Sequence, residues 1–343
     1  MRMPDIDVRA LGATLDAQAR TDALSGVISL DVDADIVFAA AYGMADRAHG
    51  IPNTVDTRFA MASASKAFTA AAVWSLVDDG TLRLDTPVRD ILRADLPLID
   101  DGVTIEHLLS HTSGIGDYLD EESDWEVDDY ILTVPVHELA ETEAFVRAVD
   151  GQPQKFPPGE RFSYCNGGYI VLAIVAERAS GVPFHDLVGA RVFAPAGLER
   201  TGYLRIDELP GDAAQGYLYE SPESLRTNIL HMPVRGNGDG GAFTTVADMS
   251  RFWRALVDGK IISSESVTQM TAPRNVAEED NMRYGMGVYI DLEAPGLDLV
   301  GYDAGVSISS RFDAESRFTA TVISNTPEGA WGIARTFRRA LGL

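Results

Sequence analysis

The chain has 343 residues, of which 45% are apolar and 23% charged, a composition that supports a globular core and excludes a disordered or fibrous protein. Asp and Glu number 52 against 28 Lys and Arg, a formal charge of -24; such a surface repels phosphate backbones and excludes nucleic acid as a natural partner. A single cysteine, Cys165, leaves no internal disulfide framework and no Cys-rich zinc module. No apolar run approaches the roughly 20 residues of a membrane span, and the first residues carry charges where a signal peptide needs its apolar stretch. The expectation is a soluble, cytoplasmic protein, or an exported one if a leader has been removed.

In chain order, the pattern predicts a helix over 7–20, then a strand pair, Gly26–Leu30 and Ile36–Tyr42, around the turn Asp31-Val-Asp-Ala-Asp35. The spacing of Asp31, Asp33 and Asp35 imitates a calcium loop, but Ile36 stands where that loop needs Gly, so the segment reads as a hairpin turn. An Ala-rich helix over 64–79 stops at Gly80, and Gly168–Ala179 closes at Gly181 in the same way. Met249, Phe252, Trp253, Leu256 and Val257 form one buried helix face, with Thr245 and Asp248 as its capping pair and Gly259 as its stop. Four strands follow, Tyr284–Ile290, Leu297–Tyr302, Val306–Arg311 and Phe318–Ile323, before a final helix over 329–341. Short strands joined by tight turns favour antiparallel pairing. The fold class is α+β with two lobes: an antiparallel sheet built from both termini and flanked by helices (residues 1–85 with 272–343), and a mostly helical lobe (86–271). A binding cleft is expected where the lobes meet.

Two motifs can carry chemistry. In Ser63-Ala-Ser-Lys66, residues three apart share a helix face, so the amine can reach the hydroxyl. A serine hydroxyl is a poor nucleophile until a neighbouring base takes its proton, and burial can lower a lysine's pKa enough for that part. The bland reading is a capping serine with a solvated lysine. In Tyr164-Cys165-Asn166-Gly-Gly, Tyr164 can exchange protons with the pair, and the Asn166 amide can orient Lys66 and a substrate carbonyl. The bland reading here is a helix entrance with Asn166 as its cap.

The two motifs together, about 100 residues apart in this order, resemble the serine β-lactamase and penicillin-binding protein superfamily, nearest to class C β-lactamases, DD-peptidases and their esterase relatives. The resemblance covers about 20–340 and includes Leu109-Ser-His-Thr-Ser-Gly114, Pro157-Pro-Gly159, Gly238-Asp-Gly-Gly-Ala-Phe243 and Tyr284-Gly-Met-Gly287. It implies Ser63 as the acylated nucleophile, Lys66 as its proton acceptor, Tyr164 as a proton relay and Asn166 as the holder of Lys66 and the substrate amide. The family's third element, normally Lys-Thr-Gly or His-x-Gly on the strand edging the site, is matched to Tyr302-Asp303-Ala304, with the N–H groups of Ser63 and Gly305 as the oxyanion hole. This element departs from the pattern. Tyr302 is neutral, Asp303 is acidic and Ala304 crowds a glycine position, so recognition of a β-lactam carboxylate suffers unless an arginine such as Arg311 substitutes. The resemblance therefore implies an acyl-enzyme hydrolase acting on a small-molecule or peptide substrate, an ester or D-amino-acid amide more than a β-lactam, with no metal or organic cofactor. The alternative is a binding or scaffolding protein that kept the fold and lost efficient turnover.

Other signals carry less. Gly236-Asn-Gly238-Asp-Gly-Gly241 matches a dinucleotide fingerprint by letters but lacks the strand and βαβ setting. His107 and His111 share zinc-pair spacing without a third ligand and read as structural. The acids of 117–129 (Asp117, Asp120, Glu121, Glu122, Asp124, Glu126, Asp128, Asp129) read as a solvated loop, or as a rim that attracts cations. Cys165 reads as a small buried side chain facing away from Tyr164.

Overall fold

The computed structural model describes residues 7–121, 130–277, 282–291 and 296–340. Helix α1 (Val8–Thr21) starts where the Asp7 carboxylate accepts the N–H groups of Arg9 and Ala10. Strands β1 (Gly26–Val32) and β2 (Asp35–Tyr42) follow. The pairing continues to Val32 and Asp35, so the hairpin turn is tighter than the residues suggest. Asp31 sits inside the sheet, buried, accepting the Ser29 hydroxyl at 2.7 Å.

Helix α2 (Lys66–Asp78) follows a short 3-10 turn over Ala62–Ser65. It is apolar on all sides and buried through Lys66–Leu76, as a helix at the centre of a lobe must be. Helix α3 (Asn166–Ser180) is equally buried and packs on α2; Gly181 ends it in the left-handed conformation. Helix α4 (Val246–Val257) buries Met249, Phe252, Trp253 and Leu256, and Thr245 caps it by accepting the Asp248 N–H. Its Trp253 donates to Ser310 Oγ at 2.9 Å and stacks on Phe312, tying α4 to the sheet.

Near the C-terminus lie β3 (Asn275–Ala277), β4 (Met282–Tyr284), β5 (Tyr289–Asp291), β6 (Gly296–Asp303), β7 (Val306–Asp313) and β8 (Phe318–Ser324), then helix α5 (Trp331–Ala340). The expected single strand Tyr284–Ile290 is thus two strands, interrupted by a turn at Gly285–Val288 whose Gly287 has φ +104°. An eight-stranded antiparallel sheet runs β2-β1-β8-β7-β6-β5-β4-β3. It joins β1 from the N-terminus to β8 from the C-terminus in the register Gly26↔Ser324.

Alternation along the strands gives the sheet two apolar faces. Ile28, Leu30, Ala320 and Val322 meet Leu11 and Leu15 of α1 and Ile333 and Phe337 of α5. Val27, Ile308, Phe312 and Ile323 join the larger core around α2, α3 and α4. The N-terminal end of α2 is thereby held against β6, and the open space beside it is the cleft.

Candidate active site

Ser63 sits in the 3-10 turn before α2, and Ala62 ahead of it takes φ +42°, a left-handed backbone that an L side chain occupies only under local constraint. Lys66 begins α2 one turn later, 2% exposed. Its Nζ donates to Asn166 Oδ1 and the Asp239 carbonyl, both at 2.7 Å, and to Ser63 Oγ at 2.9 Å. The first two partners only accept, so they claim two hydrogens in any protonation state. The third position faces Ser63, where the neutral amine presents its lone pair to the hydroxyl. Burial lowers the Lys66 pKa, and the charges of Asp239, Glu121, Asp117 and Asp303 oppose that shift.

The Tyr164 phenol is in hydrogen-bond contact with Ser63, and burial raises its pKa well above the ordinary value. The Lys66 ammonium lies 4.8 Å from the Tyr164 ring centroid. Asn166 opens α3, with Cys165 Sγ accepting the Gly168 N–H at 3.3 Å as the helix cap. Both hydrogens of the Asn166 amide are committed, to the Leu119 carbonyl and to Glu121 Oε1, each at 3.0 Å. Asn166 therefore holds Lys66, and a substrate carbonyl reaches it only by displacing one of those acceptors.

Three positioning residues escaped the sequence reading. Asp117 sits within an acidic run that looks solvated, yet it is 7% exposed. Its carboxylate accepts the N–H groups of Asn166 (2.6 Å), Gly167 (2.8 Å) and Leu119 (3.2 Å), fixing the start of α3 from outside the helix. Burial pushes its pKa up to about 6 against those hydrogen bonds. Asp120 pairs with Lys155 at 2.8 Å; Glu122, Asp124, Glu126, Asp128 and Asp129 lie outside the described residues. His111, at φ +55°, splints the tyrosine segment. Its carbonyl accepts the Ser163 N–H at 2.9 Å, its Nδ1 accepts the Cys165 N–H at 3.1 Å, and its ring lies 4.4 Å from that of Tyr164. Burial and Lys66 hold this imidazole neutral. Asp239 accepts the Tyr118 hydroxyl at 2.5 Å while its carbonyl anchors Lys66. A spacing signal for Asp239 existed only as the glycine-rich loop that imitates a dinucleotide motif.

The third element needs correction. Gly305 turns the β6–β7 hairpin at φ +72°, and a side chain there would strike the Tyr217 N–H; it does not line the cleft. Ala304 also points away, 1% exposed and packed near Ile206 and Met232, so it crowds no substrate. The glycine that meets the nucleophile segment is Gly301. A Cβ on it would lie 2.4 Å from the Met61 carbonyl and 3.0 Å from the Ala64 nitrogen. Asp303 and Val306 flank the two-residue turn and so form a hydrogen-bonded pair. Alternation then points the N–H of Tyr302 away from β7, toward the Ser63 side of the strand. The stretch of β6 that lies against the Met61–Ala64 segment therefore ends Leu299-Val300-Gly301, three residues before the expected element, with no cation and with Leu299 buried. Arg311 cannot substitute, since it is buried between Asp298 (2.6 Å) and Asp291 (3.2 Å).

The cleft is about 530 Å³ and includes Ser63, Tyr164, Asn166, Tyr302 and Asp303 in its wall. Among the described residues that line it, the charged groups are Glu121, Asp239 and Asp303, with no Arg or Lys; Lys66 stands behind Ser63. Burial pushes Asp303 up to about 7 although its outer edge meets solvent. Tyr302, 44% exposed, leans on Trp331 of α5 with ring centroids 6.2 Å apart. Among the described residues no cluster of three His, Cys, Asp or Glu could hold a metal, and no helix is long and apolar enough to cross a membrane. His107 instead accepts the Thr104 N–H at its own helix start.

The family model described as Beta-lactamase matches residues 13–342. The chain belongs to that family. It is an enzyme of the serine-hydrolase type, and its fold is that of the family. The crystal structure of a penicillin-binding protein from Bacillus halodurans superposes with a TM-score of 0.88 at 38% identity, covering 95% of this chain and 99% of that one. A D-aminopeptidase of Brucella anthropi is 28% identical over 93% of this chain, and esterase EstB of Burkholderia gladioli is 34% identical over 64%. The chain spans 59% of the D-aminopeptidase's length and 58% of EstB's.

Proposed function

We propose that the protein hydrolyses an ester or amide through a Ser63 acyl-enzyme, with esterase or D-amino-acid peptidase activity favoured over β-lactamase activity. The observation that carries this reading is the Ser63 hydroxyl held 2.9 Å from a buried lysine amine and in contact with the Tyr164 phenol. Lys66 takes the hydroxyl proton as Oγ attacks the carbonyl carbon. The N–H groups of Ser63 and Tyr302 receive the developing oxyanion; one such donor is worth on the order of 100- to 1,000-fold in rate. Tyr164 gives its proton to the leaving group and is re-protonated by the one Lys66 holds; water then loses a proton through the same relay as its oxygen attacks, and that proton returns to Ser63 Oγ as the acid leaves. The anionic lining argues against β-lactams, which carry a carboxylate, and suits neutral or cationic substrates.

Intact-protein mass spectrometry after exposure to a fluorophosphonate, and separately to a penicillin, tests this. A fluorophosphonate adduct on Ser63 with little or no penicilloyl adduct is expected. No adduct from either reagent would favour the scaffolding alternative, and a long-lived penicilloyl adduct would favour penicillin binding. Replacing Asp303 by Asn removes a cleft charge wherever the pH exceeds about 7, and at about pH 8.5 it is expected to raise kcat/KM for anionic nitrocefin several-fold relative to neutral p-nitrophenyl acetate; an unchanged ratio at that pH would remove Asp303 from the selectivity argument. His111→Ala is expected to lower kcat about 10- to 100-fold with KM nearly constant, because displacing a reacting group by about 1 Å costs that much; a change confined to KM would deny it a hold on Tyr164.

A further inference from the structure

A second recess opens beside the cleft. It is a groove of about 510 Å³, and it shares Tyr130, Leu132 and His231 with the cleft wall, so the two form one continuous surface. Ile131, Val134, Val136 and Leu230 line it along with Arg226 and His137, and Ile131 and Leu230 are 85% and 78% exposed, the highest values among the described large apolar side chains. Scattered exposed apolar residues are ordinary, but contiguous ones at the mouth of a site mark a surface that is covered in use. That the two most exposed should border one groove, and that this groove should run into the cleft, ties it to the substrate.

The chemistry sets which half of the substrate enters. The leaving group must pass the Tyr164 phenol, which returns its proton. The groove joins the cleft at Tyr130, Leu132 and His231, and its wall includes neither Tyr164 nor Tyr284 and Tyr289, the rings that stand near that phenol. We infer that the groove is a subsite for an apolar acyl chain, so that the enzyme favours esters and amides whose acyl part extends several carbons beyond the reacting carbonyl. The inference rests on the acyl-enzyme reading above.

The test compares kcat/KM of the full chain for p-nitrophenyl acetate, butyrate, hexanoate and octanoate. Each methylene that leaves water is worth up to about four-fold, so a rise of at least about ten-fold from acetate to octanoate is expected. Acetate esters of longer alcohols should show no such rise. Ile131→Glu combined with Leu230→Glu should bring the octanoate-to-acetate ratio to within about two-fold of one; Leu230→Ser, which adds no charge, serves if the double variant does not fold. A flat wild-type series, or a ratio the variants leave intact, overturns the subsite, as does a rise that follows the alcohol. Absent esterase activity, or activity that survives Ser63→Ala, would instead overturn the acyl-enzyme reading on which it stands.

Discussion

Lys66→Met is expected to lower kcat/KM for p-nitrophenyl acetate by about 10³- to 10⁴-fold, the upper range for loss of a positioned general base. The loss is large because, among the described residues, the groups in hydrogen-bond contact with the Ser63 hydroxyl are Lys66 and Tyr164. Asp239 and Asn166 present a carbonyl and an amide oxygen to Lys66, and the Tyr164 phenol stays protonated under a raised pKa. Methionine fills the same volume and removes the buried charge, so the fold should tolerate it. Since groups that act as a unit are not additive, Ser63→Ala and the double variant should be about as slow as each other. Additive losses in the double variant would show that Lys66 does not act through Ser63. The sign of the pH dependence follows from the same geometry. Only neutral Lys66 can accept the proton, and burial lowers its pKa, so activity should rise with pH along a limb centred below the ordinary lysine value. Asp303 raises the Lys66 pKa, so Asp303→Asn should move that limb to lower pH; a shift upward would contradict the arrangement.

Asp117→Ala is expected to cost about 3 kcal/mol of stability, because it strands buried N–H groups that a charged acceptor now satisfies. Turnover should also fall, by about 10- to 100-fold, since Asn166 would lose the anchor that aims it at Lys66. Asp117→Asn keeps one acceptor oxygen and should lose less of both. The pH dependence is again signed. With a folded pKa of about 6, above the unfolded value near 4, the folded state binds this proton more readily. Its stability contribution therefore grows as pH falls from 6 toward 4 and shrinks as pH rises through that window. The gap in melting temperature between the wild type and Asp117→Ala should widen from pH 7 to pH 5, and a gap that narrows would place Asp117 in another environment.

Much of the site is local chemistry and so can be read along the chain. Ser63 and Lys66 meet because a helical turn brings residues three apart together, and Tyr164 and Asn166 stand out because they open an apolar helix. The helices α2, α3 and α4 and the terminal strands were equally visible, since their patterns repeat at the periods that helices and strands bury. Other features depended on long-range approach. Asp117 looks like its acidic neighbours until α3 closes over it, and His111 looks like half of a zinc pair until its ring meets Tyr164.

The sequence by itself determined the family and singled out Ser63 and Lys66 as the candidate nucleophile and base, because those depend on residue identity at fixed short spacing. Only the tertiary structure decided the strand register that puts Gly301 rather than Gly305 against the Met61–Ala64 segment, the burial that removes Arg311 from service, and the continuity of cleft and groove. These are properties of distances between segments brought together by the core. A one-residue change in strand register reverses which side chains face the site, and no local pattern in β6 fixes where along its length the nucleophile will dock.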